Sequence, residues 1–579
     1  MQRPDRKRFF TWGYVVPVLA AIVLLASCVM VSAKRYYWND ELFSYYMTSE
    51  PTFGRLLTAF HDKLNNTPFL YFLLGWIWDK LFGSAELSLR IFSSLGFCAA
   101  LLITWATLKR SYGQWAASIG VLLVFCTSTI IRTQNGEARM YGLFILTLAL
   151  AFWLYDHAYQ KTRISTGEFW LNVCAHAAIA HTHLYGFFYS GAMLLCFILT
   201  DRLRHLYRPR LYLSVIVGLA TIVFYIPTFL VQADAGKPRT WLPAPDVKEL
   251  FDIYNVTWAL FFSRSLALGL AVVVVVYIIW NLRKPSIKLR LQEREIHLLL
   301  FALSFIAVPL VVWIISLTIK PIFYPRYMIP TALGWIVLIT MGVARPISSL
   351  PPVSTVVKRL GEQELLASYL SMLAIVAFLG FILYQPIGWG LHYAKEEEPG
   401  LYDMKAAELK PYIDLPRVIP FSSQMLIRNF YSSERNKYFF ILDWESALSK
   451  YGGLFTTQEY KHMQAWRRNF PERFGNNVLT NDEFLARYDR FLVLDEPNYL
   501  RKCQPVHFGW NTPDKWLNLE CPQWVEIRLL NNKKYKVTVI NAASQKDFTY
   551  LLVERQPVAP AYGTTIVKPQ VARPHRLSY

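Results

Sequence analysis

Residues 12–46 read WGYVVPVLAAIVLLASCVMVSAKRYYWNDELFSYY: about twenty apolar residues, two cations, a cluster of aromatic rings, then Asp40 and Glu41. An apolar stretch of that length matches one crossing of a bilayer core about 30 Å thick, where only a helix satisfies its own backbone. The run follows a basic start and ends in Lys34-Arg35-Tyr36-Tyr37-Trp38 rather than in a small-residue cleavage site, so it reads as a retained helix and not as a signal peptide. Two adjacent carboxylates stand just beyond its end. They fit either a solvated helix terminus or a general base with its partner.

The same pattern recurs along the chain. Further spans are expected at Glu86–Leu108, Trp115–Ile131, Met140–Tyr159, Phe169–Ala180, Tyr185–Thr200, Leu211–Val231, Trp258–Ile279, Ile296–Ile319, Tyr327–Val343 and Leu365–Tyr384. With Trp12–Ala33 that makes about eleven, so the fold class is an α-helical polytopic membrane protein. Residues 1–384 form the membrane domain, with outer loops at 34–85 and 232–257. Residues 385–579 alternate strand-like stretches (Lys437–Leu442, Arg490–Leu494, Lys536–Ile540, Tyr550–Glu554) with amphipathic helical ones such as Asp482–Arg490, the pattern of a soluble α/β domain. No nucleophile elbow, phosphate loop or metal-ligand spacing stands out in that tail, which suits a cap or acceptor-recognition role. Its last residues, Val567–Tyr579, read as a disordered basic end.

The net charge of +20 does not point to nucleic acid. Residues 1–384 hold 34 Lys and Arg against 19 Asp and Glu, and the tail 26 against 21, so the excess belongs to the membrane half. There the cations cluster in alternate loops, at Arg3–Arg8, Lys109–Arg110, Lys161–Arg163, Arg202–Arg210, Arg283–Arg294 and Arg345–Arg359. That is the cytoplasmic bias of membrane helices. With a cytoplasmic N-terminus, the loops at 34–85, 131–139, 181–184, 232–257 and 320–326 and the tail lie on the outer side. This count takes Pro68–Phe82 as interfacial and Phe169–Thr200 as two short helices broken at His181-Thr182-His183. The opposite choice at either place would put Arg202–Arg210 outside, against the charge bias. Cys28, Cys98, Cys126, Cys174 and Cys196 fall in apolar runs and read as buried small hydrophobes. Cys503 and Cys521 stand in the tail, where an oxidising compartment would allow a disulfide.

Sidedness gathers the ionisable residues at the outer ends: Asp40, Glu41, His61, Asp62, Arg132, Glu137, Arg139, His181, His183, Lys320 and Arg326. Such groups at membrane depth are expensive and mark function. A transporter would place them near span centres and show paired broken helices, so their position favours an enzyme over a transporter or flippase, the alternative reading. Two His at i and i+2 do not share a helix face, so a divalent metal at His181 and His183 needs a turn and a third ligand; binding a phosphate or sugar is the other role. Arg326 and Lys320, in a stretch broken by Pro321, Pro325 and Pro330, offer fixed cations to a phosphate ester.

Trp38-Asn39-Asp40-Glu41, with Asn66-Thr67-Pro68-Phe69-Leu70-Tyr71-Phe72, Leu81-Phe82-Gly83-Ser84-Ala85-Glu86-Leu87-Ser88-Leu89-Arg90, Glu137-Ala138-Arg139-Met140-Tyr141, Thr182-His183-Leu184-Tyr185-Gly186 and Arg326-Tyr327-Met328-Ile329-Pro330, resembles the motifs of the bacterial family 39 glycosyltransferases. These are relatives of the protein O-mannosyltransferases and the lipid A aminoarabinose transferase, and share the C-type membrane glycosyltransferase fold. The resemblance covers residues 10–345 well and the tail loosely. It implies transfer of a sugar from a polyprenyl-phosphate carrier to a lipid, glycan or protein acceptor at the outer face of a bacterial plasma or inner membrane. Asp40 is then the catalytic carboxylate, with Glu41 and Glu137 as further acids. Arg326, Tyr327, Lys320 and Arg139 are the expected donor-phosphate and lipid contacts, and His181, His183 and His61 contact substrate or a metal. Where many relatives carry a His or an acid–Lys pair before the prolines, this chain has Asn65, Asn66 and Thr67. A contact made from that position in relatives is not expected here.

Overall fold

The structure, a computed structural model, describes residues 14–236, 245–258, 292–349, 362–395, 407–448, 454–495, 505–506, 518–519, 524–530, 532–541 and 549–557. The first span is a helix over Val15–Ser32. It packs against Glu86–Tyr112 and against Glu362–Lys395, which runs past the expected end at Tyr384. Glu86–Tyr112 lies on Tyr141–Tyr159 where glycines let the backbones meet: a Cβ on Gly142 would stand 1.9 Å from the Ser93 carbonyl oxygen. Five of the described helices are long and apolar enough to cross a membrane, or seven if each of two bent pairs counts as one span. The chain is an integral membrane protein. The expected span Trp258–Ile279 lies, beyond Trp258, outside the described residues, as do residues 237–244 of the loop at 232–257, Cys503, Cys521 and the final residues Val567–Tyr579.

Two breaks matter for the site. The expected span Trp115–Ile131 is two helices, Gln114–Thr127 and Thr129–Asn135, bent by 68°. Ser128 sits at the corner, its hydroxyl accepting from the Ile131 amide to cap the second helix. At that helix's end Asn135 donates to the Leu24 carbonyl (2.8 Å) and accepts from Ser94 (2.8 Å), tying the segment before Glu137 to the first span. The region Leu211–Val231 is likewise bent by 57° near Tyr225. Pro68–Phe82 contains a helix over Leu70–Phe82 too short to cross, with Leu81 and Phe82 exposed.

The tail carries a six-stranded sheet in the order β3-β2-β1-β4-β8-β7, with β1 Arg417–Val418, β2 Tyr438–Leu442, β3 Val478–Thr480, β4 Arg490–Asp495, β7 Tyr535–Asn541 and β8 Thr549–Arg555. Strands β3, β2, β1 and β4 are parallel, and β8 and β7 add antiparallel at the β4 edge. A separate pair, β5 Pro505–Val506 and β6 Asn518–Leu519, completes the described strands. Strand β2 is buried on both faces, as the interior of a parallel sheet requires. The four expected strands appear within a residue of their reading. The helix expected over Asp482–Arg490 is shorter, Asn481–Leu485, because Arg490 opens β4. Cys174 corrects another expectation: it is exposed, on the outward face of its helix.

The tail does not hang free. Arg468 and Asn469, at the end of the helix Leu454–Asn469, hold Asp62 at 2.9 and 2.7 Å. Lys461 and Lys63 share Asp234, and the Tyr431 hydroxyl donates to Glu86 (2.6 Å) while accepting from the Tyr37 amide. Burial alone would raise the Asp62 carboxyl, but the hydrogen bonds from Arg468, the Lys63 amide and Asn469 lower it below the ordinary range. The tail and the loops of the membrane domain therefore form a charged, hydrogen-bonded seam.

Candidate active site

Asp40 lies in the first turn of the helix Asn39–Thr48, where the free amides favour a carboxylate. Its Oδ2 accepts from Arg326 at 2.7 Å and lies 3.8 Å from Arg139. Arg139 also donates to the Asp40 carbonyl (2.7 Å), so the second acidic motif holds the first in place. Arg326 is framed by the rings of Tyr324 (5.0 Å), Trp38 (5.5 Å) and Tyr327 (6.0 Å). This is a partly desolvated slot for a planar cation.

These groups line one cavity of about 460 Å³. Asp40, Arg139, Arg326, Tyr327 and His183 are brought together there, with Asn65, Asn66 and Thr67 on the adjoining loop. His183 is buried and stacked on Phe144 at 4.8 Å, and its Nδ1 accepts from the Tyr185 amide. Burial, with Arg139 and Arg326 nearby, pushes its pKa down to about 3. It is a neutral imidazole rather than a cation for the phosphate.

Other residues expected at the site stand elsewhere. Glu41 is 1% exposed and fully engaged. It forms two 2.7 Å bonds with Arg90 and accepts from the amides of Ala138 (2.7 Å) and Trp38 (3.2 Å). Its oxygens are occupied by these four hydrogen bonds, which leaves no free lone pair directed into the cavity. Arg90 reaches on to the carbonyls of Arg35 and Tyr36, so one buried ion pair stitches three outer segments together. Glu137 is buried behind the cavity, and burial followed by the neighbouring Glu41 raises its pKa to about 7. Lys320 is exposed and does not line the cavity. His181 binds Thr221 (3.2 Å) and His61 binds Thr228, both away from the cavity wall. Among the described residues no three His, Cys, Asp or Glu side chains come together as a metal site, so the residues present do not fit the divalent ion.

The tail supplies residues the sequence did not single out. Ser422, Gln458, Glu459 and His462 line the same cavity. His462 Nδ1 meets the Lys63 carbonyl at 2.5 Å and Nε2 lies 3.3 Å from the Gln458 amide nitrogen, while its ring packs on Phe43. No motif signals them. They belong to an ordinary amphipathic helix made relevant by its docking.

Residues 66–226 match the family model described as dolichyl-phosphate-mannose-protein mannosyltransferase. A search among curated proteins by sequence finds no match. Among solved structures, the chain is similar to ArnT from Cupriavidus metallidurans bound to undecaprenyl phosphate (TM-score 0.51, 13% identity, 96% of this chain and 100% of that one). It is also similar to the apo state of the same protein (TM-score 0.54, 13% identity, 94% and 98%). At that identity the likeness is one of fold alone, and the fold class is that of the C-type membrane glycosyltransferases. Within that class the matched segment supports the family 39 resemblance read from the motifs.

Proposed function

We propose that the chain is a glycosyltransferase that moves a sugar from a polyprenyl-phosphate carrier to an acceptor at the outer face of the membrane, with Asp40 as the general base. The observation that carries this reading is one carboxylate facing two arginines in a cavity at the ends of the spans. The family model's description names a polyprenyl phosphate as sugar carrier, and the ArnT structure holds another, which supports the same donor class here.

The chemistry follows from the groups present. The acceptor O–H loses its proton to Asp40 as its oxygen bonds to the anomeric carbon. The anomeric C–O bond breaks with its electron pair going to the phosphate. A diester of charge about −1 thereby becomes a monoester approaching −2, and Arg326, with Arg139 behind it, meets the developing charge with fixed donors. Arg326 is bound to Asp40. A donor phosphate competes for that guanidinium, so donor binding releases the base it needs. Tyr327 and neutral His183 pack the arginine slot and exclude water from it. The N-terminus is cytoplasmic and the tail lies outside, in keeping with the basic loops. The test is transfer from purified polyprenyl-phosphate sugars by wild type and Asp40→Asn, with loss of transfer in the variant expected and retention overturning the assignment.

A further inference from the structure

The acceptor is left open by that reading, and the walls of the cavity differ in chemistry. The spans contribute the cations, Arg139 and Arg326. The tail contributes Ser422, Gln458, Glu459 and His462, none of them cationic. The Lys63 carbonyl accepts a hydrogen bond from His462 Nδ1–H and leaves Nε2 to accept from Gln458, and burial holds the imidazole below its ordinary pKa although Asp40 pulls the other way. This ring is a neutral anchor for Gln458. Glu459 accepts from the Ser422 amide at 3.4 Å. The tail wall is therefore neutral to acidic.

A second observation concerns unpaired atoms. Besides Arg139 Nε and Arg326 Nε on the cationic wall, Trp38 Nε1, Asn39 Oδ1 and Asn65 Nδ2 are, among the described residues, buried without a partner, and these three residues line this cavity. Asn65 is only 9% exposed, and its own Oδ1 accepts from the Thr67 amide, which fixes the amide's orientation. The set is donor, acceptor and donor. A phosphate only accepts and an ammonium only donates, whereas hydroxyls do both. The nature of the base agrees: a phosphate monoester is largely ionised at neutral pH and has little need of Asp40. It would also bring further negative charge to Asp40 and Glu459. Rings at Trp38 and Phe43 beside the amides of Asn65, Asn66 and Gln458 suit a saccharide, whose C–H face stacks on aromatics while its edge hydroxyls bond to amides.

We propose that the tail helix Leu454–Asn469 completes the acceptor half of the site, with Gln458 and Glu459 as specificity-determining residues, and that the acceptor is a hydroxyl of an uncharged saccharide rather than a phosphate. This rests on the glycosyl-transfer reading. The test uses the full chain in detergent or nanodiscs with labelled polyprenyl-phosphate hexoses. The acceptors are methyl hexosides, the corresponding hexose 1-phosphates and a Ser/Thr-containing peptide, with donor hydrolysis followed in parallel. Transfer to the neutral glycosides is expected. Glu459→Gln and Gln458→Ala should each raise the acceptor KM about tenfold, the loss of one charged or bidentate hydrogen bond, with the donor KM unchanged. Preference for the phosphates or the peptide, or a donor KM that rises with the acceptor KM, overturns the inference while leaving glycosyl transfer standing. Failure to cleave any donor, with or without an acceptor, overturns both.

Discussion

Replacing Glu41 by Gln tests the division of labour between the adjacent carboxylates. Glu41 and Arg90 are each 1% exposed and share two 2.7 Å bonds, and Glu41 also holds the amides of Ala138 and Trp38. A neutral amide there leaves the Arg90 guanidinium buried without its counter-ion, and removing one partner of such a pair costs about 3–5 kcal/mol. At about 2.1 cal/mol/K per residue of unfolding entropy, a chain of this length should lose roughly 2.5–4 °C in Tm. The assay is thermal unfolding of the purified protein in mild detergent, paired with transfer measured well below the transition. The expected result is a lowered Tm with residual transfer that recovers on cooling. An unchanged Tm with transfer as dead as in Asp40→Asn would refute the structural role and return Glu41 to the chemistry.

Glu137→Gln should flatten the pH dependence of stability. Its carboxyl is raised from 4.5 to about 7. The folded form therefore binds the extra proton, and its contribution is full below about pH 4.5 and lost as pH rises through 7. The variant should gain on the order of 3 kcal/mol relative to wild type at pH 8, as read from unfolding at several pH values. Arg326→Lys keeps the charge but loses the planar fork, and donor KM or carrier binding should weaken about tenfold or more in a direct titration with polyprenyl phosphate. Gly142→Ala places a methyl against the Ser93 carbonyl at the closest helix crossing. It should cost about 1–3 kcal/mol, measured as lost Tm.

Much of this arrangement is legible in the sequence because spans obey length and charge rules that act locally. The same rules brought Asp40, Arg139, His183 and Arg326 to one side, and the structure places all four on one cavity. What stayed hidden depends on three-dimensional partners. Asp40 and Glu41 look alike in sequence, and only the arrival of Arg90 from 49 residues away buries Glu41 in an ion pair while Asp40 stays on the cavity. His181 and His183 differ by two positions, yet one faces Thr221 and the other the arginines. The bend near Thr127 has no proline to announce it and is capped by the Ser128 hydroxyl, whereas Pro227 stands in the first turn after the bend near Tyr225. Glu459 and His462 could not be singled out because their helix docks through ion pairs at Asp62 and Asp234, contacts no local pattern encodes.

The central claim is that Asp40 takes the acceptor proton while Arg326 receives the phosphate. Transfer from a purified polyprenyl-phosphate sugar by Asp40→Asn, measured beside binding of the bare carrier, tests both halves at once. Transfer should fall by about 10²–10⁴-fold, the worth of a general base. Carrier binding should hold or tighten, because Arg326 no longer has Asp40 as a competitor. Undiminished transfer, or loss of carrier binding along with transfer, would contradict the account.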